Sequence, residues 1–288
     1  LMKLLRSSLF IITLLSGQYL SAADFVWYNG KQPITYTVPE NIAPVVSVAL
    51  DMFNGDMQQV TGKLPQPTTE RDATVRIIQL DKSVLSPKEK QELQRLGIPL
   101  NDIATKKDAF FITTFKRQLL IVGSDGRGAA YGILELSRLA GVSPWVWWGD
   151  VTPEKKTQLT LPAKYKTYQS PSVEYRGIFL NDEDWTLQPW SWKHFEPSTP
   201  GRIGPRTYKE IFKLLLRLRA NAIWPGMHGI TTPFYMVPGA KEAADSSGIV
   251  LGTPHCEPLM RSNVGEWDAA KYGEYNYITN RPVVQNYW

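Results

Sequence analysis

Apolar residues recur along this chain in two alternating rhythms, one of strands and one of helices, and the alternation runs through nearly its whole length. "ITYTV" alternates as a strand from Ile34 to Val38. Residues 42 to 61 then place Val45, Ala49, Met52, Phe53, Met57 and Val60 at helical spacing, with Gly62 as the stop. A second strand, "ATVRIIQL", leads into "SPKEKQELQRLG", where Ser86 is placed as a cap, Pro87 as the first helical residue and Gly97 as the end. "DAFFITTF" and "QLLIVGS" are strands separated by Lys116 and Arg117, a hairpin by length. The pattern predicts an α/β layer with a mixed sheet.

After Ser124, "DGRGAAYGILELSRLAGV" reads as a glycine-rich turn opening a helix, with Ile133, Leu134, Leu136 and Leu139 apolar. A dinucleotide site would want three regularly spaced glycines early in a domain and a hydrophobic strand before the acidic residue. Here the third glycine is displaced to Gly132 and Asp150 follows a tryptophan cluster, so Gly126 and Gly128 are read as permitting close helix and sheet packing. Near Pro171 the composition changes, which divides the chain into a signal at 1–23, a first domain at 24–170 and a second from 171 to 288. The second region repeats strand and helix: strand Tyr175 to Leu180, helix Tyr208 to Arg219, strand Ala222 to Trp224, helix Ala240 to Ser246, strand Ile249 to Thr253. The helix from Tyr208 sets Ile211, Phe212, Leu215 and Leu218 on one side and Lys209, Lys213, Arg217 and Arg219 largely on the other, as a helix covering a sheet would. Such units build (β/α) barrels of about 250 residues. Three strands and a chain that reaches Trp288 in "VVQNYW" without a closing helix suggest the N-terminal part of a longer enzyme, with strand edges open if it stood alone.

Composition narrows the class. A 43% hydrophobic content is that of a folded chain with a substantial core. Lys3 and Arg6, the apolar "SSLFIITLLSGQYL" and the small Ser21, Ala22 and Ala23 have the order of an export signal cut after Ala23, too short and too interrupted for a membrane span. The expected address is the periplasm or the medium. Cys256 is the only cysteine, which excludes an internal disulfide. Without Lys3 and Arg6, 30 basic residues face 27 acidic ones, a balance that speaks against nucleic-acid binding. Ten Trp and thirteen Tyr gather in "PWVWWGD", "DWTLQPWSW" and "YGEYNYITN", rings suited to cores and to sugar faces alike.

In such barrels the chemistry lies where strands end. The first strand ends in Asn181, Asp182, Glu183, Asp184 and Trp185; the second in Trp224, Pro225, Gly226, Met227 and His228; the third in Thr253, Pro254, His255, Cys256, Glu257 and Pro258. Adjacent His255 and Cys256 would diverge in an extended chain, and no paired ligand spacing supports a metal. Acids and aromatics at a barrel mouth fit glycoside hydrolysis. Asp182 and Asp184 would share a face about 6.8 Å apart if extended, close to the roughly 6.5 to 9.5 Å of inverting pairs but on one side of the sugar, so one is expected to bind hydroxyls.

The blocks "GRGAAYGILELSRLAGVSPWVWWGDV", "EYRGIFLNDED", "FKLLLRLRANAIWPGMH", "GIVLGTPHCEPLMR" and "EWDAAKYGEYNYITN" resemble, in order, the N-terminal part of glycoside hydrolase family 115, the xylan α-glucuronidases. The resemblance implies a hexosaminidase-like first domain, a TIM-type barrel and further domains. It also implies inverting release of glucuronic acid or its 4-O-methyl ether from glucuronoxylan, with no cofactor and with room for a homodimer of the full-length enzyme. Carried over by position, Asp182, Trp224, His228, His255 and Glu257 line the substrate pocket, with Asp184 beside them. The principal acid and base are expected on later strands, beyond Trp288, and Arg261 or Arg127 are candidates for the uronate carboxylate. A noncatalytic carbohydrate-binding protein is the alternative.

Overall fold

The computed structural model describes residues 24–254 and 257–288, so the expected signal at 1–23 and the candidate His255 lie outside the described residues. In chain order the first half contains β1 (Phe25–Tyr28), β2 (Thr35–Thr37), α1 (Pro44–Thr61), β3 (Gln66–Pro67), β4 (Val75–Gln79), α2 (Pro87–Arg95), α3 (Leu100–Ile103), β5 (Phe110–Phe115), β6 (Gln118–Gly123), α4 (Gly126–Leu139), β7 (Leu159–Leu161) and β8 (Lys166–Gln169). The second half contains β9 (Gly177–Phe179), α5 (Leu187–Trp190), α6 (Pro205–Arg217), β10 (Ala222–Trp224), α7 (Ala240–Ser247), β11 (Val250–Leu251), α8 (Asn263–Glu266), α9 (Ala269–Tyr272) and α10 (Arg281–Tyr287). The last of these corrects the expectation that the chain reaches Trp288 without a helix. Pro282 fits the first turn of α10, where its missing N–H costs nothing, and the Trp288 N–H still donates to the Val284 carbonyl at 3.1 Å.

Local rules account for the first half. All six apolar positions anticipated in α1 are buried, and Gly62 ends the helix at φ +74°. Ser86 and Glu89 form a reciprocal capping box on α2. The mixed sheet has the order β3-β2-β4-β6-β5-β8, parallel from β3 to β6 and antiparallel from there to β8. Its period of two sorts the side chains: Val75, Ile77, Leu119 and Ile121 enter the core under α1 and α4, while Ile78, Leu120 and Val122 enter a second core with Leu93, Leu100 and Ile103. Both faces are covered, which is why these strands read as continuous apolar runs. The α4 glycines serve packing, as expected. A Cβ on Gly128 would stand 2.2 Å from the Ala109 carbonyl oxygen, and one on Gly132 would stand 2.4 Å from Ile121 Cγ2.

In the second half, β9–α6–β10 and β10–α7–β11 are successive βαβ units whose parallel strands lie in the order β11-β10-β9. Among the described residues these form an open three-stranded sheet, and the fold is mixed α/β. Two strands are shorter than the apolar pattern suggested: the paired residues end at Phe179 and Leu251, each followed by one last backbone hydrogen bond, from Leu180 and Gly252. Helices α1 and α4 pack against α6 and α7, so Val46, Phe53, Phe212 and Ile223 belong to one core.

That layer gives the basic side of α6 its partners. Arg217 forms a bidentate pair with buried Asp56 of α1, both distances 2.8 Å, and Arg219, just past the helix, pairs with buried Glu135 of α4. Leu218, expected on the apolar side, is 48% exposed, because the helix ends at Arg217 and Leu218 has left its face.

A single acid organises the starts of all three parallel strands. Asp108 is 1% exposed and occupies the left-handed region at φ +59°. Its Oδ2 accepts from Arg176 Nη2 at 2.7 Å, just before β9, and from Asn221 Nδ2 at 2.8 Å, just before β10. Its Oδ1 accepts from Arg127 Nε at 2.7 Å, and Arg127 Nη1 donates to the Gly248 carbonyl, two residues before β11. The Asp125 side chain caps α4 through the Gly128 N–H and also accepts the Asp108 N–H.

Candidate functional site

The tails of β9 and β10 meet at Asp182. Leu180 N–H donates to the Trp224 carbonyl at 2.8 Å, extending the β9–β10 pairing by one step and carrying Asp182 against the tail of β10. There the Asp182 carboxylate accepts the His228 N–H at 3.2 and 3.3 Å and is only 3% exposed. Burial pushes this carboxyl up to about 6, against the lowering effect of the His228 N–H, with the neighbouring Glu183 charge adding to the rise. Such a group changes charge in the range where glycosidases and many other enzymes operate.

Gly226 makes the approach possible. A Cβ there would stand 2.4 Å from Asp182 Oδ1 and 2.7 Å from the Leu180 carbonyl oxygen, and the second of these is backbone that cannot swing away. Gly226→Ala should therefore push the two tails apart and destabilise the protein by about 1–3 kcal/mol, the usual cost of overpacking. A urea midpoint equal to that of the wild type would remove this account of Gly226. The residue was not singled out from sequence, although a glycine following Pro225 within a strand tail was the available signal.

The remaining candidates are only partly brought together. Trp224 is 51% exposed and its indole lies on Gly252, where a Cβ would be 2.1 Å from Nε1. With Tyr175 and Phe179 it rims a hollow on the open side of β9 and β10. His228 is exposed and touches Asp182 through its backbone, and Glu257 is buried. Asp184 does not share a face with Asp182: it is exposed, because the chain leaves the extended conformation there and turns into α5. Trp185 beside it is 75% exposed.

The two arginines considered for a uronate are both engaged. Arg127 lies at the opposite, N-terminal ends of the strands in the Asp108 cluster, which removes it from the site. Arg261 pairs with Glu266 at 2.5 Å and stacks over the Tyr287 ring at 4.3 Å. Trp288, the boundary beyond which the acid and base are expected, packs within its own segment: its ring stacks on Tyr277 at 5.5 Å and its indole N–H donates to the Tyr275 hydroxyl at 3.1 Å. Chemically, the tails offer one carboxyl able to exchange a proton near neutrality, an indole face and an exposed imidazole.

Comparison with known proteins identifies the family. Residues 168–288 match the family model for glycosyl hydrolase family 115. Among solved structures, the chain is similar to a family 115 4-O-methyl-α-glucuronidase described as specific for decorated arabinogalactans, with 45% identity and a TM-score of 0.81 over 92% of this chain and 34% of that one. The chain thus spans about a third of that relative's length. A β-hexosaminidase from Streptomyces plicatus shares 11% identity at a TM-score of 0.48, covering 80% of this chain and 42% of its own. An exo-β-N-acetylglucosaminidase from Vibrio harveyi shares 10% at 0.44, covering 80% and 33%. Likenesses that distant leave the hexosaminidase kinship of the first domain an expectation. Curated sequences give no match. On the family match and the 45% identity across most of its length, the chain belongs to glycoside hydrolase family 115.

Proposed function

We propose that these residues are the first part of an α-glucuronidase that removes glucuronic acid or 4-O-methylglucuronic acid side chains from a branched plant polysaccharide, glucuronoxylan in the first instance, with inversion. The observation that carries the reading is the 45% identity over 92% of the chain to a 4-O-methyl-α-glucuronidase. Asp182 at the end of β9, with Trp224 and His228 at the end of β10, supports a sugar pocket at the usual end of parallel strands. Because the chain spans 34% of that relative, the acid and base are assigned to residues other than these, beyond Trp288 on the remaining strands of a TIM-type barrel. The export-like residues 1–23 support delivery to the periplasm or the medium, where such polysaccharides are met.

The neighbour's described specificity favours a second reading of the substrate, in which the uronic acid is carried by arabinogalactan. The test is to incubate the intact enzyme with glucuronoxylan and with uronate-decorated arabinogalactan and to follow free uronic acid by proton NMR. Release from either, with the β-anomer appearing first, is expected from inversion at an α-linkage. First appearance of the α-anomer would overturn inversion, and no release from either polymer would favour a noncatalytic carbohydrate-binding protein. Residues 24–288 alone are expected to release nothing.

A further inference from the structure

A cleft of about 700 Å³ lies beside the candidate pocket and has no part in the site described above. One wall is the tryptophan loop after α4, with Trp147, Trp148 and Asp150; the other is α5, with Thr186 just before it and Trp190 at its end. Trp147 stands at the centre of an aromatic cluster. Its ring meets Trp148 at 4.7 Å, Phe195 at 5.2 Å and Trp190 at 6.1 Å, each near perpendicular, so the cluster is held in a fixed geometry. Phe195 in turn stacks on Trp190 at 5.6 Å and carries the Arg206 guanidinium 4.7 Å from its centre. Trp148 is pinned further by its indole N–H on the Glu210 carbonyl at 3.1 Å.

Rigid support on one side leaves Trp147 38% exposed on the other. Among the described residues, the indole N–H groups of Trp147 and Trp190 make no hydrogen bond within the protein, unlike those of Trp148 and Trp192. An aromatic ring held open, with unpaired donors, a hydroxyl and a carboxylate around it, matches a ligand that has an apolar face and a hydroxylated edge. Charge decides which kind. Asp150 lines the cleft and no Lys or Arg does among the described residues, so an anionic sugar would be repelled. Thr186 follows Asp182 by four residues, which places the cleft within about 14 Å of the pocket carboxylate along the chain.

We propose that this cleft is a subsite for the neutral main chain of the polysaccharide, separate from the pocket that takes the uronic acid. The inference rests on the glycosidase reading, and it adds that Trp147 and Trp190 recognise the polymer by stacking while the strand tails recognise its branch.

The test uses the intact protein and isothermal calorimetry with neutral, undecorated xylo-oligosaccharides and galacto-oligosaccharides, with free glucuronic acid as a separate probe. Binding of one neutral series is expected. Trp147→Ala and Trp190→Ala should each weaken it by about tenfold, the loss that 1.4 kcal/mol carries, and Trp147→Phe should restore most of it. Circular dichroism and thermal midpoints identify any variant that has lost its fold, and Asp150→Asn, on the cleft's rim, provides a variant outside the aromatic cluster that should shift neutral-sugar affinity without unfolding. Neutral-sugar binding unchanged in folded Trp147→Ala and in Asp150→Asn would overturn the subsite, as would no neutral-sugar binding by the wild type. If the same protein still releases uronic acid, only the subsite has failed; if it neither binds neutral sugar nor releases uronic acid, the glycosidase reading has failed with it.

Discussion

Asp108→Ala should be the most damaging single substitution in the described part of the protein, lowering the unfolding free energy by about 3–5 kcal/mol, as expected when one partner of a buried ion pair is removed. The change leaves Arg127, Arg176 and Asn221 pointing at one vacated position, and the side chains of both arginines are less than a quarter exposed. It also places alanine at φ +59°, a conformation that aspartate and asparagine tolerate better. Two further variants separate these contributions. Asp108→Gly removes the carboxylate but relaxes the backbone, so it should be less harmful than alanine by about 1 kcal/mol. Asp108→Asn keeps the shape and one acceptor and should fall between glycine and the wild type. Because the starts of β9, β10 and β11 all converge on this acid, the loss should appear as a lower denaturant midpoint for the whole protein rather than local fraying. Equal midpoints for Asp108→Ala and the wild type would show that the cluster is not what joins the two halves.

What the sequence revealed and what it concealed follow the reach of each interaction. Helix α1 and the Ser86 cap depend on a strict period or on neighbours within a turn, and both were legible; the packing glycines of α4 were legible from their residue type, although what they pack against lies in other elements. The ends of β9 and β11 were overextended, because an apolar run does not record where a neighbouring strand stops pairing. Arg217 and Arg219 were placed only on the basic side of the helix, and their partners could not be named because Asp56 and Glu135 are 161 and 84 residues away. The helix before Trp288 was missed because its seven residues are too few to show a period. At the site, Asp182 was found from its place after an apolar strand, yet its pairing with Asp184 assumed an extended chain that in fact turns. The Asp108 cluster gave no local signal at all. Its members are spread from residue 108 to residue 248 and share only a position at the end of an element.

Asp182→Asn should make the folded protein more stable at neutral pH while impairing the proposed activity. A carboxyl moved from 3.8 to about 6 by burial has a folded pKa above its unfolded one. Its favourable contribution is therefore complete below about pH 3.8 and is lost as the pH rises through 6. By pH 7 the ionised group burdens the folded state by about 3 kcal/mol, from 1.36 kcal/mol for each pKa unit. Asparagine keeps an oxygen for the His228 N–H and carries no charge, so the variant's advantage should be near zero at pH 3.5 and grow to about 3 kcal/mol by pH 7. Urea unfolding of both proteins across that range measures it, and a difference independent of pH would refute the buried charge. A clamp that served only to hold His228 would be better made of asparagine. A carboxyl held where burial works against its ionisation fits the substrate-binding role proposed for Asp182, and loss of uronic acid release in a more stable Asp182→Asn variant of the intact enzyme would separate that role from a structural one.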